Sequence, residues 1–327
     1  MTFPVSQSVL DADALAAELK RRYGLKGDVR CKLLSRGMND IYRVEHDGGP
    51  HALKVARTGK SSDDEFAYEQ DYVIHLAARG IAVPTAIPLA DGSLFFSVDA
   101  PEGKRQIVMM RWLEGQPYDL EVNAQDAHRL GAMLAHLHMA CADFTTPHAK
   151  HVSSEFKLAR RLPFLLELVQ GREGEREADR AFLEQTGATV LARMAALDPI
   201  AVPSGACHGD LQCANAMRLA DGSLAVFDFS DCGTDFLAKD IAAFYWRNDF
   251  DGRPEAINQA FVDGYDSIRP LSPEEKAAQP LFRLMRHLLI TSSMAEFVNR
   301  IGPVPGFDKN IDHYLTMIRR FADEAGV

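Results

Sequence analysis

Residues 205–240 constrain this chain more than any other stretch. His208, Asp210 and Asn215 form a His-x-Asp-x-x-x-x-Asn spacing, and Asp228 follows across a short hairpin. Met217-Arg218-Leu219 and Leu224-Ala225-Val226 read as two short strands. Between them, Ala220-Asp221-Gly222-Ser223 carries the Asp-Gly signal of a tight two-residue turn. With Asp221 and Gly222 as the turn, Ala220 pairs with Ser223, and counting outward places Asn215 opposite Asp228. Directly opposed strand residues lie within roughly 5 Å of each other, so one divalent cation could bridge the two side chains. A longer loop would shift that register.

These residue types have a chemistry in common. Phosphoryl transfer from a nucleoside triphosphate needs one carboxylate at the attacking hydroxyl. It also needs an amide oxygen and a second carboxylate for the magnesium that neutralises the phosphates. Asp210, Asn215 and Asp228 fit those roles in that order. A competing reading makes Cys207, His208, Cys213 and Cys232 a metal site. No Cys-x-x-Cys spacing exists, and the residues around these cysteines predict buried thiols that pack as small apolar groups. A Cys207–His208 hydrolase fails on geometry, because neighbouring strand residues point to opposite faces.

The quoted residues carry a resemblance. His208-Gly209-Asp210-Leu211 with Asn215, then Phe227-Asp228-Phe229-Ser230-Asp231-Cys232-Gly233 and Lys239-Asp240-Ile241, resemble the aminoglycoside phosphotransferase and choline kinase superfamily. The similarity is greatest to its homoserine-kinase-type and stress-response-kinase-like branch. The resemblance implies an α+β, bilobal protein-kinase-like fold. A small lobe of antiparallel sheet plus helix would occupy residues 1–112, and a larger, mainly helical lobe residues 113–327. It further implies that Asp240 braces the catalytic loop.

Upstream, residues 11–22 read as a helix with Asp11 as N-cap. Residues 32–44 read as strand, turn and strand. The superfamily places this turn over the nucleotide phosphates, where Ser35, Gly37 and Asn39 would offer backbone N–H groups. His51-Ala52-Leu53-Lys54-Val55-Ala56 is a strand with Ala52, Lys54 and Ala56 on one face. A lysine between two alanines suits a cleft where small residues admit a purine and Lys54 reaches the phosphates. Residues 63–79 form a helix whose apolar stripe is Phe66, Val73 and Leu76. Glu69 falls on that stripe and needs a partner, for which Lys54 is the candidate; Glu65 and Asp71 are alternatives. Residues 93–98 and 105–112 read as strands. The second leads into the hinge that the superfamily uses for adenine, with Met110 and Trp112 as backbone contacts. Arg111 stands where many relatives carry an acidic residue, which leaves the purine preference open.

Residues 127–139, 156–169 and 178–194 read as helices of the second lobe, as do a segment opening at Lys239 and residues 281–297. His136 and His138 project apart on their helix and are expected in the core or at the surface. Asp231, Tyr245, Arg247 and Arg286 are candidate acceptor-binding residues, with a carboxylate of the lobe as the alternative partner of Arg286. The charged stretch 171–177 reads as a solvated helix junction.

Composition bounds the partners. The 327 residues are 46% hydrophobic and 25% charged with a formal net charge of −10, which disfavours nucleic acid and anionic membranes as partners. No apolar run reaches the length of a membrane span. Five cysteines without a pairing pattern and an N-terminus without a signal-peptide pattern point to the cytoplasm. The expectation is an ATP- and Mg2+-dependent phosphotransferase acting on a hydroxyl of a small molecule: homoserine or another hydroxy amino acid, an amino alcohol, or an aminoglycoside. The alternative is a stress-response-type Ser/Thr protein kinase. Only eleven residues separate Asp228 from Asp240, too few for a long activation segment, and no Ala-Pro-Glu follows. The oligomeric state is open.

Overall fold

A computed structural model describes residues 3–118, 122–150, 153–170, 176–302 and 310–327. Most of the charged stretch expected as a helix junction, residues 171–175, lies outside the described residues. The chain forms two compact units. The first comprises residues 1–116, 144–150 and 217–227, and the second residues 117–143, 151–216 and 228–327.

The first unit is built on an antiparallel sheet of β1 (Arg30–Arg36), β2 (Asn39–His46), β3 (Gly49–Ala56), β4 (Phe96–Ala100) and β5 (Gly103–Arg111), in the order β1-β2-β3-β5-β4. Side chains alternate across it. Tyr42, Val44, Leu53, Val55, Ile107 and Met109 line one face and pack with Leu15 and Leu19 of α1 (Ala12–Tyr23). On the other face, Lys54 lies opposite Ile41 and Val108, and Ala52 opposite Met110. Phe66 of α2 (Asp63–Ala78) covers this face at Ala56 and Val108. Both helices start where the sequence signals it: Asp11 accepts from the Ala14 N–H, and Ser62 forms a capping box with Glu65.

Arg105, fully buried, closes the end of the α1 side. Its guanidinium donates to Asp40 at 2.7 Å and to the carbonyls of Ala56 at 2.8 Å and Ser8 at 3.0 Å. A buried cation is tolerated only with such partners, and removing one of them strands a charge.

Strands β6 (Gly115–Pro117), β7 (Ser204–Cys207), β8 (Ala216–Leu219), β9 (Leu224–Val226) and β10 (Gly233–Phe236) make two small sheets, β6-β8-β9 and β7-β10. From Met217 on, β8 falls in the first unit together with β9, while β7 and β10 fall in the second, whose helices are α3 (Ala124–Ala140), α4 (Ser154–Gln170), α5 (Glu177–Ala195), α6 (Ile241–Phe250), α7 (Glu255–Asp266), α8 (Pro273–Ile301) and α9 (Ile311–Ala325). Helices α3 and α7 approach backbone to backbone. A Cβ on Gly131 would meet the Phe261 carbonyl at 1.8 Å, and one on Gly264 the His128 carbonyl at 1.9 Å. Helix α8 starts eight residues before the expected Leu281, at a Ser272–Glu275 capping box, and runs through Pro280. Pro273 opens the helix, where a missing N–H costs little, whereas Pro280 is its eighth residue and removes one i→i−4 bond from the helix interior. The sequence reading leaves α7 and α9 out. Among the described residues, no helix is long and apolar enough to cross a membrane.

Arg105→Ala should destabilise the protein by about 3–5 kcal/mol, because Asp40 stays buried without its hydrogen-bonded cation and keeps only the Arg36 ion pair at 3.6 Å. Thermal and urea unfolding test this, and a change below about 1 kcal/mol would contradict it.

Candidate active site

In the first unit, Lys54 Nζ donates to Glu69 Oε1 and lies 5.1 Å from the centre of the Phe66 ring. Both charged residues are buried, Lys54 at 4% and Glu69 at 7% exposure. The two alternatives to Glu69 are committed elsewhere: Glu65 caps α2, and Asp71 accepts from Thr146. Ala52 shares the face of Lys54, as the alternation requires. Met110 sits within the ladder opposite Ala52, and Trp112 lies just past β5 with the Arg43 guanidinium 4.8 Å over its ring. At the turn from β1 to β2, Asn39 is buried and Ser35 is exposed beside a bulge in β1. The Gly37 N–H donates to the Asn39 carbonyl at 3.0 Å. It is therefore spent inside the turn, because so short a connection closes on itself.

In the second unit, β7 ends at Cys207 and the loop that carries Asp210 follows. Asp240, fully buried, accepts the backbone N–H groups of His208 at 2.7 Å and Gly209 at 2.8 Å, and lies 3.3 Å from His138 Nε2. Desolvation alone would raise its pKa, but His138, Lys239 and His208 outweigh it and hold the carboxyl far below the usual carboxylate range. His138 Nδ1 lies 2.8 Å from the Tyr265 hydroxyl, and burial pushes the imidazole pKa down. Gly209 must be glycine: its φ is 83°, and a Cβ would meet the Asp231 carbonyl at 2.1 Å.

This loop presents Asp210. Arg286 of α8, buried, donates to Asp210 Oδ1 and to the Gly209 carbonyl at 3.0 Å. Asn215 Nδ2 donates to Asp210 Oδ2 at 3.1 Å and to its carbonyl at 2.8 Å. Burial pushes the Asp210 carboxyl pKa up; Arg286 opposes that, and the nearby Asp231 and Asp228 carboxylates add to it. Asp231 is itself paired with Lys157 at 3.1 Å. Tyr245 is packed under the Arg283 guanidinium at 5.0 Å, Trp246 stacks on Phe250 at 5.7 Å, and Arg247 pairs with Asp251 at 3.0 Å.

The hairpin differs from its sequence reading. Leu219 N–H donates to the Ser223 carbonyl and Gly222 N–H to the Leu219 carbonyl, both at 2.9 Å, so the loop has three residues, Ala220, Asp221 and Gly222. Gly222, at φ 82°, takes the left-handed position of such a loop. The register therefore slips by one, and Asn215 is not the counted partner of Asp228. The ladder also stops short of both: Asn215 ends a 3₁₀ turn, Cys213–Asn215, and Asp228 is left-handed at φ 61° and ψ 67°. Asp228 is the sole non-glycine residue with positive φ among those described. Aspartate tolerates this conformation through its short polar side chain, which here accepts from Ser230 N–H at 3.4 Å.

The donor set suits a hard divalent cation. Asn215 spends its amide nitrogen on Asp210, which leaves its oxygen as the atom to offer. Asp228 receives one long hydrogen bond, and the Asp228 and Asp231 carboxylates lie close enough to raise the proton affinity of Asp210. The cysteine alternative is not supported. His138, Cys207 and Asp240 do bring possible ligand atoms within 4.8 Å of one another. Both imidazole nitrogens and the carboxylate are already engaged, however, and burial pushes the Cys207 thiol far up.

Sequence reasoning missed the supporting groups: Arg283, which binds Asp249 and Glu255, and Lys239, which bonds Asp235 and Ser154. Ser154, Asp249 and Glu255 lie 28 to 85 residues from the groups they bind, beyond any local spacing, whereas the Asp235–Lys239 spacing of four was there to be read.

Thiol labelling tests the buried-cysteine result. Cys31 and Cys213 are pushed up to about 11, so at pH 8 about one in a thousand of either would be thiolate, and Cys207 less. Native protein treated with iodoacetamide at pH 8 should show no adduct on Cys207 by peptide mapping until it unfolds. Rapid labelling of Cys207 would contradict its burial.

Comparison with known proteins identifies the family and the fold. The profile of the Phosphotransferase enzyme family matches residues 30–276. A homoserine kinase of Xanthobacter autotrophicus is 32% identical over 271 residues, covering 82% of this chain and 79% of its own. The solved structure of a microcompartment-associated aminopropanol kinase superposes with a TM-score of 0.79 at 22% identity, covering 96% of this chain and 98% of its own. That of the amicoumacin kinase hAmiN, in complex with AMP-PNP, Ca2+ and Ami, superposes at 0.75 and 19% identity, covering 97% and 93%. The protein belongs to the Phosphotransferase enzyme family, as a small-molecule kinase with a protein-kinase-like fold.

Proposed function

We propose that the protein transfers the γ-phosphate of ATP to a hydroxyl group of a hydroxy amino acid such as homoserine, or of a related amino alcohol, in the cytoplasm. The observation that carries the reading is Asp210, held by Arg286 on one oxygen and Asn215 on the other. A carboxylate fixed in this way, with its proton affinity raised by burial, suits the acceptance of a proton from an attacking hydroxyl. Lys54, set by Glu69, binds phosphate oxygens. Asn215 and Asp228 would hold Mg2+, which when bound supplies neutralisation of the phosphate charge. Positioning and electrostatics account for the catalysis, since little covalent chemistry falls to the protein.

The choice of acceptor rests on the homoserine kinase relative and on the excess of acidic residues, 46 against 36 basic, which favours an amine-bearing substrate. The test is ATP consumption measured against hydroxy amino acids, amino alcohols, aminoglycosides, and folded and unfolded proteins. Turnover of a hydroxy amino acid or amino alcohol is expected. Phosphorylation of proteins alone would replace this reading with a protein kinase.

Asp210→Ala should lower kcat by about 10²–10⁴-fold while nucleotide affinity stays within a few-fold. Near-normal turnover by a folded variant at saturating substrate would remove the assignment.

A further inference from the structure

Residues Phe144–Lys150 connect α3 to α4, both in the second unit, yet they belong to the first. They lie against α2. The Phe144 ring stands edge-on to Tyr72 and His75 at 5.3 Å and to Tyr68 at 5.5 Å. The Thr146 hydroxyl donates to Asp71. His148 Nδ1 lies 2.7 Å from Asp64 Oδ1, and the Ala149 N–H donates to Asp64 Oδ2 at 2.6 Å. Thr146 Oγ1 also accepts from the His148 N–H at 3.2 Å, which ties the segment to itself.

These partners lie together on α2. Asp64, Tyr68, Asp71, Tyr72 and His75 follow the i, i+4, i+7, i+8, i+11 pattern of one helix face. Phe66, Glu69, Val73 and Leu76 form another stripe, about 140° round the helix at ~100° per residue. Helix α2 is thus gripped on two nearly opposite faces, by the sheet through Phe66 and Glu69 and by this segment through the rings and two aspartates. A helix held on one face alone can rotate or slide, and Glu69 reaches Lys54 through a single short contact.

We propose that Phe144–Lys150 is a strap that fixes α2, and that Phe144 and Thr146 are positioning residues that keep Glu69, and through it Lys54, set for nucleotide. The proposal rests on the nucleotide role given to Lys54 above. Its test is AMP-PNP affinity with Mg2+, by calorimetry on the full chain, for Thr146→Val, Phe144→Ala and Phe144→Tyr, each also in a Glu69→Gln background. Thr146→Val is nearly isosteric and keeps the measurement valid if Phe144→Ala fails to fold. Both truncations should weaken binding by about fivefold or more, and Phe144→Tyr should stay within about twofold. In the Glu69→Gln background Thr146→Val should add no further loss, because the strap acts through Glu69. Unchanged affinity in a folded Thr146→Val variant, or an equal loss with and without Glu69, would overturn the strap. Failure of the wild type to bind AMP-PNP would instead remove the nucleotide reading, and the strap with it.

Discussion

The Asp240 carboxylate is the interaction on which the placement of the Asp210 loop depends. One oxygen takes the His208 N–H and the other the Gly209 N–H, and His138 closes the first from behind. These two amides immediately precede Asp210, so the carboxylate fixes where the loop leaves β7. Charge-assisted bonds of this kind are shorter and stronger than neutral ones, and a buried ion is tolerable only when so satisfied. The tight approach of Gly209 to the Asp231 carbonyl then joins the loop to the segment that follows Asp228. Two distant parts of the sequence are therefore registered by a carboxylate and by the absence of a side chain.

Around Asp210 the balance of charge matters more than any one pair. Asp228 and Asp231 both repel Asp210, while Arg286 pairs with Asp210 and Lys157 with Asp231. The excess is negative, and a fold optimised for stability alone would not gather it. Asp228 adds a backbone conformation that most residues avoid. Unsatisfied charge and local strain together mark a site kept for binding, with a hard cation as the natural complement.

The sequence was legible where chemistry and geometry are local. The β3 alternation put Lys54 between two alanines, and the stripe on α2 put Glu69 beside Phe66; the two meet as expected. The family resemblance, and no local pattern, implied that Asp240 braces the loop of the His-x-Asp spacing, 32 residues away, and its hydrogen bonds to His208 and Gly209 agree. The hairpin register failed by one residue, because an Asp-Gly pair serves equally in a two-residue turn and at the end of a three-residue loop. Gly37 was expected to offer its N–H, but the shortness of the turn consumed it. Arg286, read as meeting either substrate or a carboxylate of the lobe, meets the Asp210 carboxylate. Such long-range assignments need coordinates, since Arg286 and Asp210 are 76 residues apart.

The most direct measurement replaces Asp240 by Asn and records both turnover at saturating substrates and amide hydrogen exchange at His208 and Gly209. Asparagine keeps the shape but loses the charge and sets an NH2 group against N–H donors. The expected result is faster exchange at both amides with kcat lower by about a hundredfold and the KM for nucleotide little changed. Wild-type kcat with freely exchanging amides would contradict the dependence of the catalytic loop on this carboxylate.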